Sequence, residues 1–177
     1  MLIKNARTPQ PLTQEAFAPF GDVIEVSDTK YHSTGNDGTA KIYHDLAAVE
    51  LNADDGRTII DIFRCDPLPL PIDIKMMERH RISSQAFIPL GINPYLVVVA
   101  PKGKFVASRL QVFLAQSHQG VNYHPGTWHH FCLALNRTSD FLVLDRLAER
   151  EHDDDITLSA EDQITVSVDA AVKINQE

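Results

Sequence analysis

Residues 72–80 read Ile72-Asp73-Ile74-Lys75-Met76-Met77-Glu78-Arg79-His80. Successive side chains of a β-strand point to opposite faces, so alternation of this kind marks a strand with one buried side. Counting by two from Ile72 places Ile74, Met76, Glu78 and His80 together. The count therefore carries an acid and an imidazole to the apolar side of a sheet. Such groups are costly to bury unless they are paired or hold a cation.

Residues 127–135 repeat the pattern. His129 shares a face with Phe131, Leu133 and Leu135, whereas His130 shares the other with Trp128 and Cys132. His129 is the inward candidate and His130 lies outward or behind it. A single inward histidine is commonly a hydrogen-bonded core residue, and Glu78 has Arg64, Arg79 and Arg81 as conceivable partners. A site is favoured because two separate strands deliver polar groups to one interior with no obvious buried lysine to neutralise them.

Outward from these two stretches, the chain is a series of short alternating runs. They fall at Thr58–Arg64, Gln85–Leu90, Tyr95–Ala100, Arg109–Ala115, Val121–Tyr123, Ser139–Asp145 and Ile164–Val168. Turn residues divide them, which is the signature of an all-β sandwich or barrel. Pro67, Pro69 and Pro71 form a stiff connector. One short helix is expected at Gln14–Phe20, capped by Thr13, ended by Gly21 and kept short by Pro19. The polar stretch Val26–Ala40 reads as a loop or hairpin tip. The acidic stretch Glu149–Asp155 reads as a solvated linker, and the tail Asp169–Glu177 as loose.

Length and charge bound the function. At 177 residues with 44% hydrophobic content, a single domain spanning residues 1–177 is expected. Sixteen basic against twenty-four acidic residues leave a formal charge of −8. That balance argues against nucleic-acid partners and against docking on anionic membranes. No run approaches the ~20 apolar residues of a membrane helix, and the start has no signal-peptide character. Two cysteines, Cys65 and Cys132, are too few for a disulfide framework and read as free thiols. The expected location is the cytoplasm.

Two resemblances sharpen this reading. Glu78-x-His80 followed by Gln85 is similar to the first cupin motif, His-x-His followed by Glu, and Gly126-Thr127-Trp128-His129 is similar to the Gly-x-x-His of the second. The pair implies a cupin-like double-stranded β-helix with Glu78, His80, Gln85 and His129 around one point. Oxygen and imidazole donors suit a divalent metal. Longer segments resemble the ureidoglycolate lyase family: Tyr43-His44-Asp45-Leu46, Glu78-Arg79-His80 with Gln85-Ala86-Phe87-Ile88-Pro89, Tyr123-His124 through Trp128-His129-His130, and Asp140-Phe141-Leu142 through Asp145-Arg146. This resemblance implies a homodimer and cleavage of ureidoglycolate to glyoxylate and urea. It also implies an associated divalent metal, nickel foremost, and no organic cofactor.

The substrate is a carbinol amide beside a carboxylate, so its collapse needs one base and one acid, roles that imidazole fills near neutral pH. His80 and His129, with Glu78 and Gln85, are expected to hold metal or substrate. Tyr123 or His124, just before Pro125-Gly126, is expected to move the proton of the leaving group. Arg64 continues the Ile60/Ile62 face and is expected to reach inward to the carboxylate, with Gln85 and His130 as further substrate contacts. The rival readings are another metal-dependent cupin enzyme and a barrel that only binds a small metabolite.

Overall fold

A computed structural model describes residues 5–28, 31–150 and 152–168. Its first strands are β1 (Ala6–Arg7), β2 (Gln10–Pro11), β3 (Gly21–Ile24), β4 (His32–Gly35), β5 (Ala40–Tyr43) and β6 (Arg57–Cys65). Next come β7 (Ile72–Ile74), β8 (Met76–His80), β9 (Gln85–Pro89), β10 (Tyr95–Ala100) and β11 (Gln111–Ala115). The last are β12 (Gly120–Tyr123), β13 (Trp128–His129), β14 (Leu133–Ala134), β15 (Ser139–Leu147), β16 (Asp153–Thr157) and β17 (Ile164–Val166). One α-helix, α1 (Gln14–Phe17), precedes β3. The all-β architecture expected from alternation is the one observed.

Two sheets make the barrel. One runs β16-β8-β13-β10-β11-β2, with β14 also on β10, and the other runs β3-β12-β9-β15-β6. Between them lies an aromatic-rich core in which Tyr95, Val97, Val99 and Phe113 meet Phe87, Val121, Tyr123, Phe141 and Val143. A third sheet, β1-β17-β7, covers the back of the first. It forms a second core from Ile72, Ile74, Ile164 and Val166 against Leu96, Val98, Val112, Trp128 and Leu133. Apolar material on both sides explains why every residue of β10 is buried and why its sequence does not alternate.

The helix closes one end of the barrel. Thr13 Oγ1 accepts from the Ala16 amide, which caps the first turn. Phe17 is fully buried against Phe20, Phe113 and Tyr123 at ring-centroid separations of 5.9, 5.5 and 6.3 Å. The helix stops at Phe17 rather than at the expected Phe20: Ala18 still has helical angles and donates to the Gln14 carbonyl oxygen, but Pro19 has no N–H to continue the ladder, and the Phe20 amide turns back to the Phe17 carbonyl oxygen. The polar stretch before β6 contains the hairpin of β4 and β5.

Two departures from simple alternation decide what faces the interior. The first is at Lys75, where the chain changes sheets: β7 pairs with β17, while β8 pairs with β16 and β13. Ile72, Ile74 and Met77 consequently pack in the second core, and Met76, Glu78 and His80 turn the other way, into the barrel. The second is a β-bulge. Val99 opposes His129, yet Leu96 opposes Leu133, so the stretch from His129 to Leu133 carries one residue more than its partner. Parity reverses across it. His129 faces the barrel, Leu133 and Leu135 join the second core, and Phe131 is exposed. The expected shared face of His129, Phe131, Leu133 and Leu135 does not exist.

Two further expectations are corrected. The stretch 149–155 is not a linker throughout, since Asp153–Asp155 lie in β16 and pair with β8. Arg64 does not reach inward. The Ile60/Ile62 face of β6 is the open one, with Ile60 66% and Ile62 54% exposed, and Arg64 forks onto Asp140 at 2.8 Å on the surface. Phe63, on the opposite side, meets Phe87 instead. The tail 169–177 lies outside the described residues.

β3 and β12 approach so closely at Gly21 that a Cβ there would stand 1.9 Å from the Asn122 carbonyl oxygen, a backbone atom with nowhere to go. Gly21→Ala is therefore expected to lower unfolding stability by about 1–3 kcal/mol or more, read as a lower urea midpoint.

Candidate active site

The interior cluster is assembled by two neighbouring strands of one sheet and two of the other. β8 supplies Glu78 and His80, and β13 sets His129 directly opposite Glu78. β9 supplies Gln85, which opposes Tyr123 of β12. Tyr123 lies flat on the His129 ring, with centroids 4.3 Å apart and planes 11° apart, and the His80 and His129 rings are 5.2 Å apart. His129 is 1% exposed.

Each imidazole is held from behind. His80 Nδ1 lies 2.7 Å from Asp153 Oδ1, and His129 Nδ1 lies 3.1 Å from the Thr127 carbonyl oxygen. Carboxylate and carbonyl oxygens accept hydrogen bonds and do not donate, so both Nδ1 atoms carry hydrogen. In the neutral rings both Nε2 atoms present lone pairs, and both are buried without a hydrogen-bond partner. His129 Nε2 is 3.5 Å from Glu78 Oε1, within ion-pair reach but longer than a hydrogen bond. Gln85 spends its amide nitrogen on Asp145 Oδ2 at 2.7 Å, which leaves its buried Oε1 unpaired. Two ring nitrogens, a carboxylate and an amide oxygen thus share the barrel interior, and no donor satisfies the three orphaned atoms.

Electrostatics follow from this packing. With a proton on its Nε2, His129 holds the Glu78 carboxyl below its ordinary range against the opposing effect of burial, and positive charge on the neighbouring His80 and His130 acts in the same direction. Burial drives the Tyr123 phenol far above its usual value, so Tyr123 enters any chemistry as an O–H and not as a base. His130 is buried beside the cluster with Nδ1 at 3.1 Å from the Phe131 carbonyl oxygen, and burial pushes its ring towards the neutral form.

The structure thus brings together Glu78, His80, Gln85, Tyr123 and His129, with His130 adjacent. It does not bring His124. That ring lies 3.0 Å from Asp22 Oδ2, on the Asn122 face of the sheet and opposite to Tyr123. The same oxygen accepts from Asn122 Nδ2 and from the Ala48 amide. Although burial alone would raise the Asp22 carboxyl, these bonds hold it below its usual range. Arg64 is likewise remote, on the outer face. Two carboxylates behind the cluster were not anticipated. Asp145 continues the inward series Phe141, Val143, so alternation contained it. Asp153 sits in a charged run with no such signal.

Arg146, at the end of the last segment of the resemblance, ties loops together. Its guanidinium donates to the Ala53 and Asp54 carbonyl oxygens, and its side chain fills the space where Gly56 lacks a Cβ. For a cation, the donor chemistry of Glu78, His80, Gln85 and His129 is suitable, and the three orphaned atoms are the ones it would satisfy. No three His, Cys, Asp or Glu side chains among the described residues are drawn together as a ready ligand set.

Known proteins resemble this chain over most of its length. The sequence model of a family described as ureidoglycolate lyase matches residues 4–167. The chain is 51% identical over 143 residues to a protein named ureidoglycolate lyase from Brucella anthropi, covering 81% of this chain and 84% of that one. It is 47% identical over 148 residues to a protein of that name from Burkholderia cepacia, covering 83% of each. A third of that name, from Pseudomonas aeruginosa, is 46% identical over 156 residues, covering 88% and 92%.

The buried His130 predicts an acid-sensitive fold. A histidine whose folded-state pKa is depressed takes up a proton more readily when unfolded, so stability is lost as pH falls below about 6.5. His130→Gln removes that group. Its denaturation midpoint is expected to fall less than that of the parent protein between neutral pH and pH ~5.5, as followed by thermal melts.

Proposed function

The chain belongs to the ureidoglycolate lyase family, and from that premise we propose that the barrel interior is where it cleaves ureidoglycolate to glyoxylate and urea. The observation that carries the assignment is the set of converging acceptors. The substrate offers a hydroxyl that must lose its proton and a nitrogen that must gain one, and the cluster includes groups able to take and return protons, the His80 and His129 rings and the Glu78 carboxylate.

The chemistry balances without water. An imidazole Nε2 of His80 or His129 takes the hydroxyl proton while the carbon–oxygen double bond of glyoxylate forms. The carbon–nitrogen bond breaks, and its electron pair goes to the urea nitrogen. A proton shared among His80, His129 and Glu78 passes to that nitrogen, and the proton taken from the hydroxyl restores the site. Tyr123 backs the His129 ring and contributes an O–H. Gln85, turned by Asp145, offers Oε1 to an N–H of the ureido group. Burial of His80 Nε2, His129 Nε2 and Gln85 Oε1 shields those atoms from bulk water, although Glu78 stays partly exposed, and that shielding favours elimination of urea over hydrolysis of the amide.

As the alternative to direct proton transfer by the two Nε2 atoms, Glu78, His80, Gln85 and His129 are the residues that would hold a divalent cation, nickel first. When bound, it would acidify the substrate hydroxyl and offset the substrate carboxylate. We place the enzyme in the cytoplasm, with the two free thiols Cys65 and Cys132 beside one another, and with no helix among the described residues long and apolar enough to cross a membrane. We also assign it a homodimeric state. The outer face of the edge strand β6, with Ile60, Ile62 and neighbouring Leu90 exposed, is the apolar surface a second copy would cover.

With ureidoglycolate as substrate, His80→Ala and His129→Ala are each expected to lose about 100-fold or more in kcat. His124→Ala is expected to remain active, because its ring faces Asp22. Urea and glyoxylate should appear in equal amounts without ammonia, and the same assay run with chelator and then with nickel reads the cation. Full turnover by both cluster variants, or ligand binding with no product from the parent protein, would overturn the assignment. For the assembly, Ile62→Lys should convert a dimer to a monomer in light scattering. An unchanged mass would remove β6 from the interface.

A further inference from the structure

Asp153 reaches the site from the far end of the chain. Its strand, β16, is the outermost of its sheet and pairs in register with β8, setting Asp153 opposite His80. The start of the strand is anchored, since the Arg81 amide donates to the His152 carbonyl oxygen at 3.0 Å and His152 Nε2 lies 2.6 Å from Asp54. The next aspartate has a different fate. Asp154 turns to the other face, where it binds Arg79 at 2.6 Å and approaches Arg81 at 3.7 Å. Neighbouring acids are thus divided between a structural brace and the interior cluster.

We infer that Asp153 is a positioning residue that fixes His80 in the Nδ1–H tautomer and thereby makes His80 Nε2 the proton acceptor of the site. This rests on the lyase reading above and goes beyond it by adding a residue outside the cluster. The hydrogen bond is 2.7 Å long and its acceptor cannot donate, so the tautomer is dictated by the partner. The other ring nitrogen is buried and unpartnered, as an acceptor awaiting a substrate proton should be. Asp153 is 43% exposed, and a partly solvated ion pair contributes little to stability. Its effect is therefore directional: it chooses which nitrogen carries the lone pair. The same division of labour orients histidine in acyl-transfer triads, where the acid holds the ring without taking the proton.

The test uses the full chain. Asp153→Asn should lower kcat about 100-fold or more with KM little changed and the thermal midpoint retained, because an amide can donate to Nδ1 and so stabilise the wrong tautomer. Asp153→Glu should recover part of the loss, and Asp154→Asn should leave kcat unchanged. Nitrogen-15 spectra of the histidine rings give a readout that a merely structural role would not move. His80 should be Nδ1–H in the parent protein and Nε2–H in Asp153→Asn. Wild-type kcat in Asp153→Asn, or an Nε2–H His80 in the parent, overturns the inference. If Asp153→Asn fails to fold, the parent spectrum decides alone. Failure of the lyase reading is separate and shows as absence of urea and glyoxylate from the parent protein, with the tautomer result still standing.

Discussion

Acceptors that face one another in a buried space repel unless a proton or a cation lies between them. The barrel interior holds two imidazole Nε2 lone pairs, the Glu78 carboxylate and Gln85 Oε1 in that relation. Nothing in the surrounding apolar core relieves it. The arrangement stores a demand for positive charge, and a hydroxylated substrate with a transferable proton meets that demand chemically. A substrate carboxylate makes the demand larger, because Arg64, the one guanidinium expected inside, is engaged with Asp140 on the outer surface.

Holding mutually repelling groups close together requires a rigid frame. β10 is buried on both faces, locked by one core on each side. β13 hangs from it by the pairs Val99–His129 and Ala100–Trp128. The bulge after His129 lets one short segment serve both cores: His129 and Ala134 point into the barrel, while Trp128 and Leu133 seal its back. Behind the rings, Asp153 and the Thr127 carbonyl set the His80 and His129 orientations, and Asp145 sets that of Gln85. The second layer of acceptors decides which atoms of the first are left bare.

Alternation was a sound guide to identity and an unsound guide to continuity. It picked out Glu78, His80 and His129 as inward residues, and the structure faces all three inward. The faces assigned to their neighbours were wrong, because Ile72 and Ile74 belong to the second core and Leu133 follows a bulge. The errors share a cause: a strand that changes sheets, or gains a residue against its partner, keeps its alternation locally and loses it across the break. Arg64 failed for another reason. An edge strand with an apolar outer face looks inverted when the sequence is read as a lone chain.

By itself the sequence determined an all-β chain, its family membership and the residue types of the cluster, since short-range periodicity and motif spacing are properties of neighbours along the chain. Only the tertiary structure decided that His124 faces Asp22 and not Tyr123, that Arg64 lies outside, and that the acidic stretch reading as solvated linker contributes a strand and Asp153. Each of those outcomes is a pairing between residues far apart in the chain. Such pairings are selected by sheet register and by which of two cores claims a side chain, and neither is written in the local order of residues.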